Sequence, residues 1–164
     1  MRALTLTQPW AGVVAAGIKL VENRPRKMIK REDFGRQFAI HASREIDDDV
    51  FDRIAEIAPE LVTIARNLYG GMDRFCFGDW FRLSQITSAV IAVATLDDMV
   101  FDTTGQLAND IAGQLGDQRR WFFGPIGYVL RDVIALPTPV PCRGWQGFWT
   151  LDAETERQVM EQIG

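Results

Sequence analysis

The chain has 164 residues, 47% of them hydrophobic and 24% charged, with a net charge of −4. Such a length suits one domain, 1–164, in which folding buries roughly 70% of the unfolded surface. The acidic balance excludes a protein that coats nucleic acid non-specifically. No apolar run reaches the ~20 residues that span a bilayer, and the N-terminus shows no signal-peptide pattern, so the expected location is the cytoplasm, with no membrane partner.

Ala3–Leu6 alternates apolar and polar residues and predicts a short strand. Pro9 can start a helix through Trp10–Ala16 that stops at Gly17. Val21–Arg24 predicts a second strand, and Arg36–His41 a third. Asp47 can cap a helix whose apolar positions Val50, Phe51, Ile54, Ile57 and Ala58 fit a 3.6-residue period. Beyond Pro59 the pattern predicts a second helix, Glu60–Tyr69, closed by Gly70-Gly71. Ser84–Leu96 reads as the longest strand, and 97–117 as an acidic, polar stretch with a weak helix through Leu107, Ile111 and Leu115. Trp121–Phe123, Tyr128–Leu136 and Gly147–Leu151 complete the strands, with a short C-terminal helix capped by Asp152. Strands and helices do not alternate, which excludes a doubly wound parallel sheet and points to an α+β domain on a small, mostly antiparallel β-barrel flanked by helices.

Cys76 and Cys142 stand far apart, outside any CxxC or Cys/His cluster, and read as reduced thiols. His41 is the only histidine, so no two-His metal site can be built; no metal and no cofactor are expected. Arg24, Arg26, Lys27, Lys30, Arg31 and Arg36 outnumber Glu32 and Asp33, giving this segment +4 and leaving −8 for the rest. Such a patch on an acidic body steers a phosphate to one place, or is simply a solvated loop.

Three segments carry a resemblance. Gln8-Pro9-Trp10-Ala11 leads into the first helix. Gly17-Ile18-Lys19-Leu20-Val21-Glu22-Asn23-Arg24 follows as G-x-K-x-x-E-x-R. Gly35-Arg36-Gln37-Phe38-Ala39-Ile40-His41-Ala42-Ser43 ends in I-H-A-S. With Gly124-Pro125 through Leu130 and Pro139 through Gly144, this order and spacing resembles the ASCH family. The resemblance implies a PUA-like β-barrel with helices around it and a cleft into which Gly17–Arg24 projects. It implies binding of RNA or of a single, often modified, base. Some small ASCH-like proteins are amidohydrolases on an acylated cytidine, and ribonuclease activity has been assigned to others.

Within that frame the candidate ligand-binding residues are Gln8, Trp10, Lys19, Glu22, Arg24, Arg26, His41 and Ser43. Lys19 follows a helix-ending glycine and offers a cation to a phosphate or a base carbonyl; stabilising the helix end is the other reading. Glu22 and Arg24 share one strand face, where they read a base edge or form a plain salt bridge. Trp10 stacks a base or fills the core, and Trp145 and Trp149 are expected in the core or at the barrel rim. His41 is a base, a donor or a structural hydrogen-bonder, and Ser43 a ligand contact or a turn cap.

For an enzyme the expected catalytic residues are Lys19, Glu22 and His41. The amidohydrolase branch has a threonine three residues after its lysine; here Glu22 stands in that place. A carboxylate is not a ready nucleophile toward an amide, so Glu22 is left as a general base. Three functions follow: a module binding RNA or a nucleotide; a hydrolase on a modified nucleoside, or a ribonuclease, using the same cleft; or an accessory domain docking protein through the acidic 97–117 stretch.

Overall fold

A computed structural model describes residues 1–66, 72–76, 78–102 and 113–164. Strand β1 (Arg2–Gln8) runs into helix α1 (Trp10–Ala15), which ends at Gly17 with φ of +71°, a left-handed turn that favours glycine. Strands β2 (Val21–Arg24) and β3 (Gln37–Ile46) follow, then helix α2 (Asp48–Ile57), capped by the Asp47 carboxylate accepting from the Asp49 N–H.

The helix expected over Glu60–Tyr69 is not formed where the chain is described. One 3-10 turn at Pro59–Leu61 leads into strand β4 (Val62–Arg66), which pairs antiparallel with β5 (Met72–Cys76). Val62, Thr63 and Ile64 are β-branched in a row, and such residues lose rotamer freedom in a helix but fit a strand. Residues 67–71 and 103–112 lie outside the described residues, and with them Tyr69, Gly70-Gly71 and most of the expected weak helix.

Helix α3 (Asp79–Ser84) occupies the start of the segment read as the longest strand. Strand β6 runs later, over Ala89–Phe101, and β7 (Ile126–Pro141) is longer still. Trp121 closes a 3-10 helix, Gly116–Trp121, where a strand was expected. The chain ends with β8 (Phe148–Thr150) and helix α4 (Ala153–Ile163).

The main sheet has the order β2-β7-β6-β3-β1-β8, with β1 and β3 parallel and every other pair antiparallel. Alternate residues feed two cores, as strand geometry requires. Leu4, Phe38, Ile40, Ile91, Tyr128 and Leu130 pack on the α1 side. Ala3, Ala39, Val90, Val93 and Leu136 pack against Val159 of α4.

Among the described residues no ladder joins the edges β2 and β8, so a closed barrel is not formed by the backbone. The sheet curls nonetheless. Strands β2 and β1 are four steps apart, about 19 Å in a flat sheet. Yet Arg24 on β2 donates from Nη2 to the Thr5 carbonyl on β1 at 3.1 Å. One arginine side chain does not span a flat sheet of that width, so the sheet rolls until its first strand faces its fifth. The space enclosed by this roll is where the candidate residues meet. Among the described residues no helix is long and apolar enough to cross a membrane.

Candidate functional site

Glu22 lies at the centre of a buried ionic relay. Its Oε2 accepts from Lys19 Nζ at 2.7 Å, and its Oε1 lies 3.2 Å from Arg24 Nη2. The local sequence dictates this. Gly17 turns the chain out of α1, Lys19 follows the turn, and the two-residue strand period puts Glu22 and Arg24 on one face of β2. Lys19 is only 2% exposed, and its ammonium is engaged by Glu22. Its Nζ sits 5.6 Å from the Trp10 ring centroid, a cation–π contact in a desolvated setting.

Arg24 carries the relay to a cleft of about 830 Å³. Four arginines line it: Arg24, Arg26, Arg44 and Arg143. Among the described residues no carboxylate does. His41, Ser43 and Cys142 contribute as well. Arg24 Nη2 is occupied by Glu22 and Thr5, which fixes the guanidinium plane at the wall. Met28 also lines the cleft, and its N–H donates to the Tyr128 hydroxyl at 2.8 Å. At the mouth stands Trp145, 52% exposed, with the Arg143 guanidinium 4.3 Å from its ring centroid. Trp145 is therefore neither core nor covered rim. Trp149 fits the rim reading, pairing with Ala3 on β1 and donating from Nε1 to Thr5 Oγ1.

His41 is buried beneath the cleft. Its Nε2 lies 3.1 Å from the Cys142 carbonyl, which only accepts, so the Nε2 carries the proton and Nδ1 a lone pair. Nδ1 has no hydrogen-bond partner among the described residues. Burial pushes the His41 pKa below its ordinary value, opposed in part by the bond to Cys142. Burial also raises the Cys142 thiol, keeping it protonated and unreactive.

The expected residues thus separate into layers. Arg24, Arg26, His41 and Ser43 share the cleft. Lys19 and Glu22 stand behind Arg24 and do not line it. Trp10 stands further back, edge-on to Trp121 at 6.2 Å, and also does not line it. Gln8 lies outside the cleft. It is fully buried, its Nε2 donates to the Leu83 and Ile86 carbonyls, and its Oε1 accepts from the Gly12 N–H. It locks α1 to α3, and both its amide nitrogen and its amide oxygen are engaged in that contact.

The basic segment is narrowed too. Of its six cations only Arg24 and Arg26 reach this cleft, while Lys30 pairs with Glu32 at its own turn. Arg44 and Arg143 were not singled out as ligand residues in the sequence, and Trp145 was expected in the core or at the barrel rim. Arg143 lies in the Pro139–Gly144 stretch that carried part of the resemblance, and this was the one available signal.

No family model matches the sequence, and no curated protein matches it. Solved structures do. The crystal structure of ASCH from Zymomonas mobilis superposes with a TM-score of 0.54 at 16% identity, covering 98% of this chain and 93% of that one. Two point-mutant forms of that protein match at 15% identity and the same TM-score, with 98% of this chain and 96% and 94% of theirs covered. The chain therefore has an ASCH-like fold.

Proposed function

We propose that this chain is a cytoplasmic binding module that holds a nucleotide or a short single strand of RNA in the arginine-lined cleft. In this reading the rolled sheet serves as the PUA-like barrel of ASCH relatives. The carrying observation is the contrast between cleft and body: among the described residues four guanidiniums and no carboxylate line one cavity, on a chain of net charge −4. Guanidinium forks match phosphate oxygens and base edges in pairs. Trp145 supplies an aromatic face for a base at the mouth. The volume of the cleft is that of a small-molecule site.

Lys19 and Glu22 support recognition rather than hydrolysis. Each is consumed by the other, and neither lines the cleft, so a general base at Glu22 has no path to a substrate there.

Equilibrium binding of short single-stranded RNA across a salt series tests the proposal. Four phosphate contacts at about −0.7 each give a slope near −3 in log K against log salt. Trp145→Ala should weaken binding by about 1–3 kcal/mol. An absence of binding to both RNA and nucleotides, or an affinity indifferent to Trp145 and to the cleft arginines, overturns it.

A further inference from the structure

We infer that the cleft takes the terminal phosphate chain of a nucleotide, free or at the 5′ end of an RNA, rather than the middle of a strand. This rests on the nucleotide reading above and narrows it by charge and by donor count.

The Lys19–Glu22 pair is neutral as a unit, so Glu22 can orient Arg24 without cancelling it. A lone Glu22 would remove one charge from the cleft wall. With Lys19 behind it, Arg24, Arg26, Arg44 and Arg143 present four full positive charges to one cavity. His41 adds none near neutral pH, because burial favours its uncharged form.

An internal phosphodiester offers one negative charge and two free oxygens. A cavity of about 830 Å³ has room for a single nucleotide-sized ligand rather than for a run of them. One internal phosphate there leaves most of the guanidinium donors unanswered. A terminal phosphate carries about −1.5 to −2 and three free oxygens, and each further phosphate in a chain adds charge and oxygens. A phosphate chain answers four guanidinium charges within one small cavity better than a single internal phosphate does. The aromatic group also stands at one place, the mouth, where Trp145 is half-exposed. One stacking position with several cations behind it suits one base carrying several charges. A strand track would need the reverse, repeated stacking faces with about one cation per nucleotide.

Calorimetric titration at fixed salt tests the inference with two ligand sets. The first is one nucleoside with its mono-, di- and triphosphate. The second is one RNA 9-mer bearing a 5′-hydroxyl, a 5′-monophosphate or a 5′-triphosphate. The expected result is a gain of about tenfold per phosphate, the scale of one charge-assisted contact, in whichever set can enter. A gain confined to free nucleotides identifies these as the ligand. A gain in the RNA set as well identifies the RNA end. Arg26→Gln and Arg44→Gln, both at exposed positions, should lower triphosphate affinity by a larger factor than nucleoside affinity and so shrink the triphosphate preference, while Arg157→Gln on α4 should change neither. Equal affinity for 5′-hydroxyl and 5′-triphosphate RNA, with no gain along the free series, overturns the inference but leaves the RNA-binding reading intact. A triphosphate preference unaffected by the arginine variants overturns it as well, since the phosphates then sit elsewhere. Failure of every ligand to bind sinks both readings together.

Discussion

Gly144 rests its Cα against the His41 ring. A Cβ at Gly144 would stand 2.3 Å from His41 Cε1, 2.5 Å from Nδ1 and 3.0 Å from Thr5 Oγ1. The ring cannot swing away, because Nε2 is tied to Cys142 and its face meets Trp149 edge-on at 5.7 Å. Only a residue without a side chain lets the segment after β7 close over β3, and that closure places Arg143 and Trp145 at the cleft mouth.

Gly144→Ala should therefore destabilise the fold by about 1–3 kcal/mol, the range for overpacking a tight site. It should also weaken ligand binding by displacing Arg143 and Trp145. Urea denaturation gives the first effect and RNA titration the second. In a His41→Ala background the added methyl finds space, so the two substitutions should be clearly non-additive. Simple additivity would show that the contact does not constrain the segment.

The ionic relay predicts an order of damage. Removing one partner of a buried pair costs about 3–5 kcal/mol, since the other charge is stranded. Glu22→Gln strands two cations, Lys19 and Arg24. Lys19→Met leaves Glu22 still paired with Arg24. Glu22→Gln should thus lower stability more than Lys19→Met, and the double variant should lose less than the two single losses combined. Denaturation midpoints of the three proteins decide it. If Lys19→Met proves harmless to stability while ligand binding disappears, Lys19 meets the ligand directly and the layered arrangement is wrong.

The first 46 residues were largely legible because local signals agree there. Gly17 ends the helix, Val21–Arg24 is a strand as expected, the strand expected at Arg36–His41 forms and runs on to Ile46, and the E-x-R spacing puts Glu22 and Arg24 on one face. What failed was non-local. Gln8 reads as a free amide in the chain, and only the packing of α3 reveals that its three polar contacts are occupied. The cleft joins His41 to Cys142, 101 positions away, a convergence that no periodicity encodes. The strand at Val62–Arg66 was misread because Pro59 and spaced apolar residues imitate a helix start, while its β-branched run and its partner β5 favour the sheet.

Arg24 serves three neighbours at once: Glu22, the Thr5 carbonyl and the cleft. Arg24→Lys keeps the charge but loses the planar fork, so one ammonium cannot hold the roll of the sheet and face the ligand together. Stability should fall by about 1.5–3 kcal/mol, the range for a charge-assisted hydrogen bond. RNA affinity should fall with it, while the salt slope stays nearly unchanged because the charge count does not change. Full retention of both stability and affinity would show that the Arg24–Thr5 bridge is incidental.

His41 gives the last prediction, a dependence of stability on pH. Its folded pKa is depressed because burial penalises the charged ring, while the unfolded chain titrates near the ordinary 6.5. Above 6.5 both states hold the neutral ring, and His41 adds no pH dependence. Below 6.5 the unfolded state takes up a proton that the folded state refuses, so stability falls as pH falls, until the folded pKa is passed. For one group the slope is at most about 1.4 kcal/mol per pH unit. His41→Asn removes the titration and keeps a donor for the Cys142 carbonyl. Urea midpoints between pH 7.5 and the carboxylate range, measured on both proteins at constant ionic strength, should show a decline in the parent chain and a flatter line in the variant. Parallel lines would mean that the proton enters His41 in the folded state as easily as in the unfolded one, and that the ring is reached by water through the cleft.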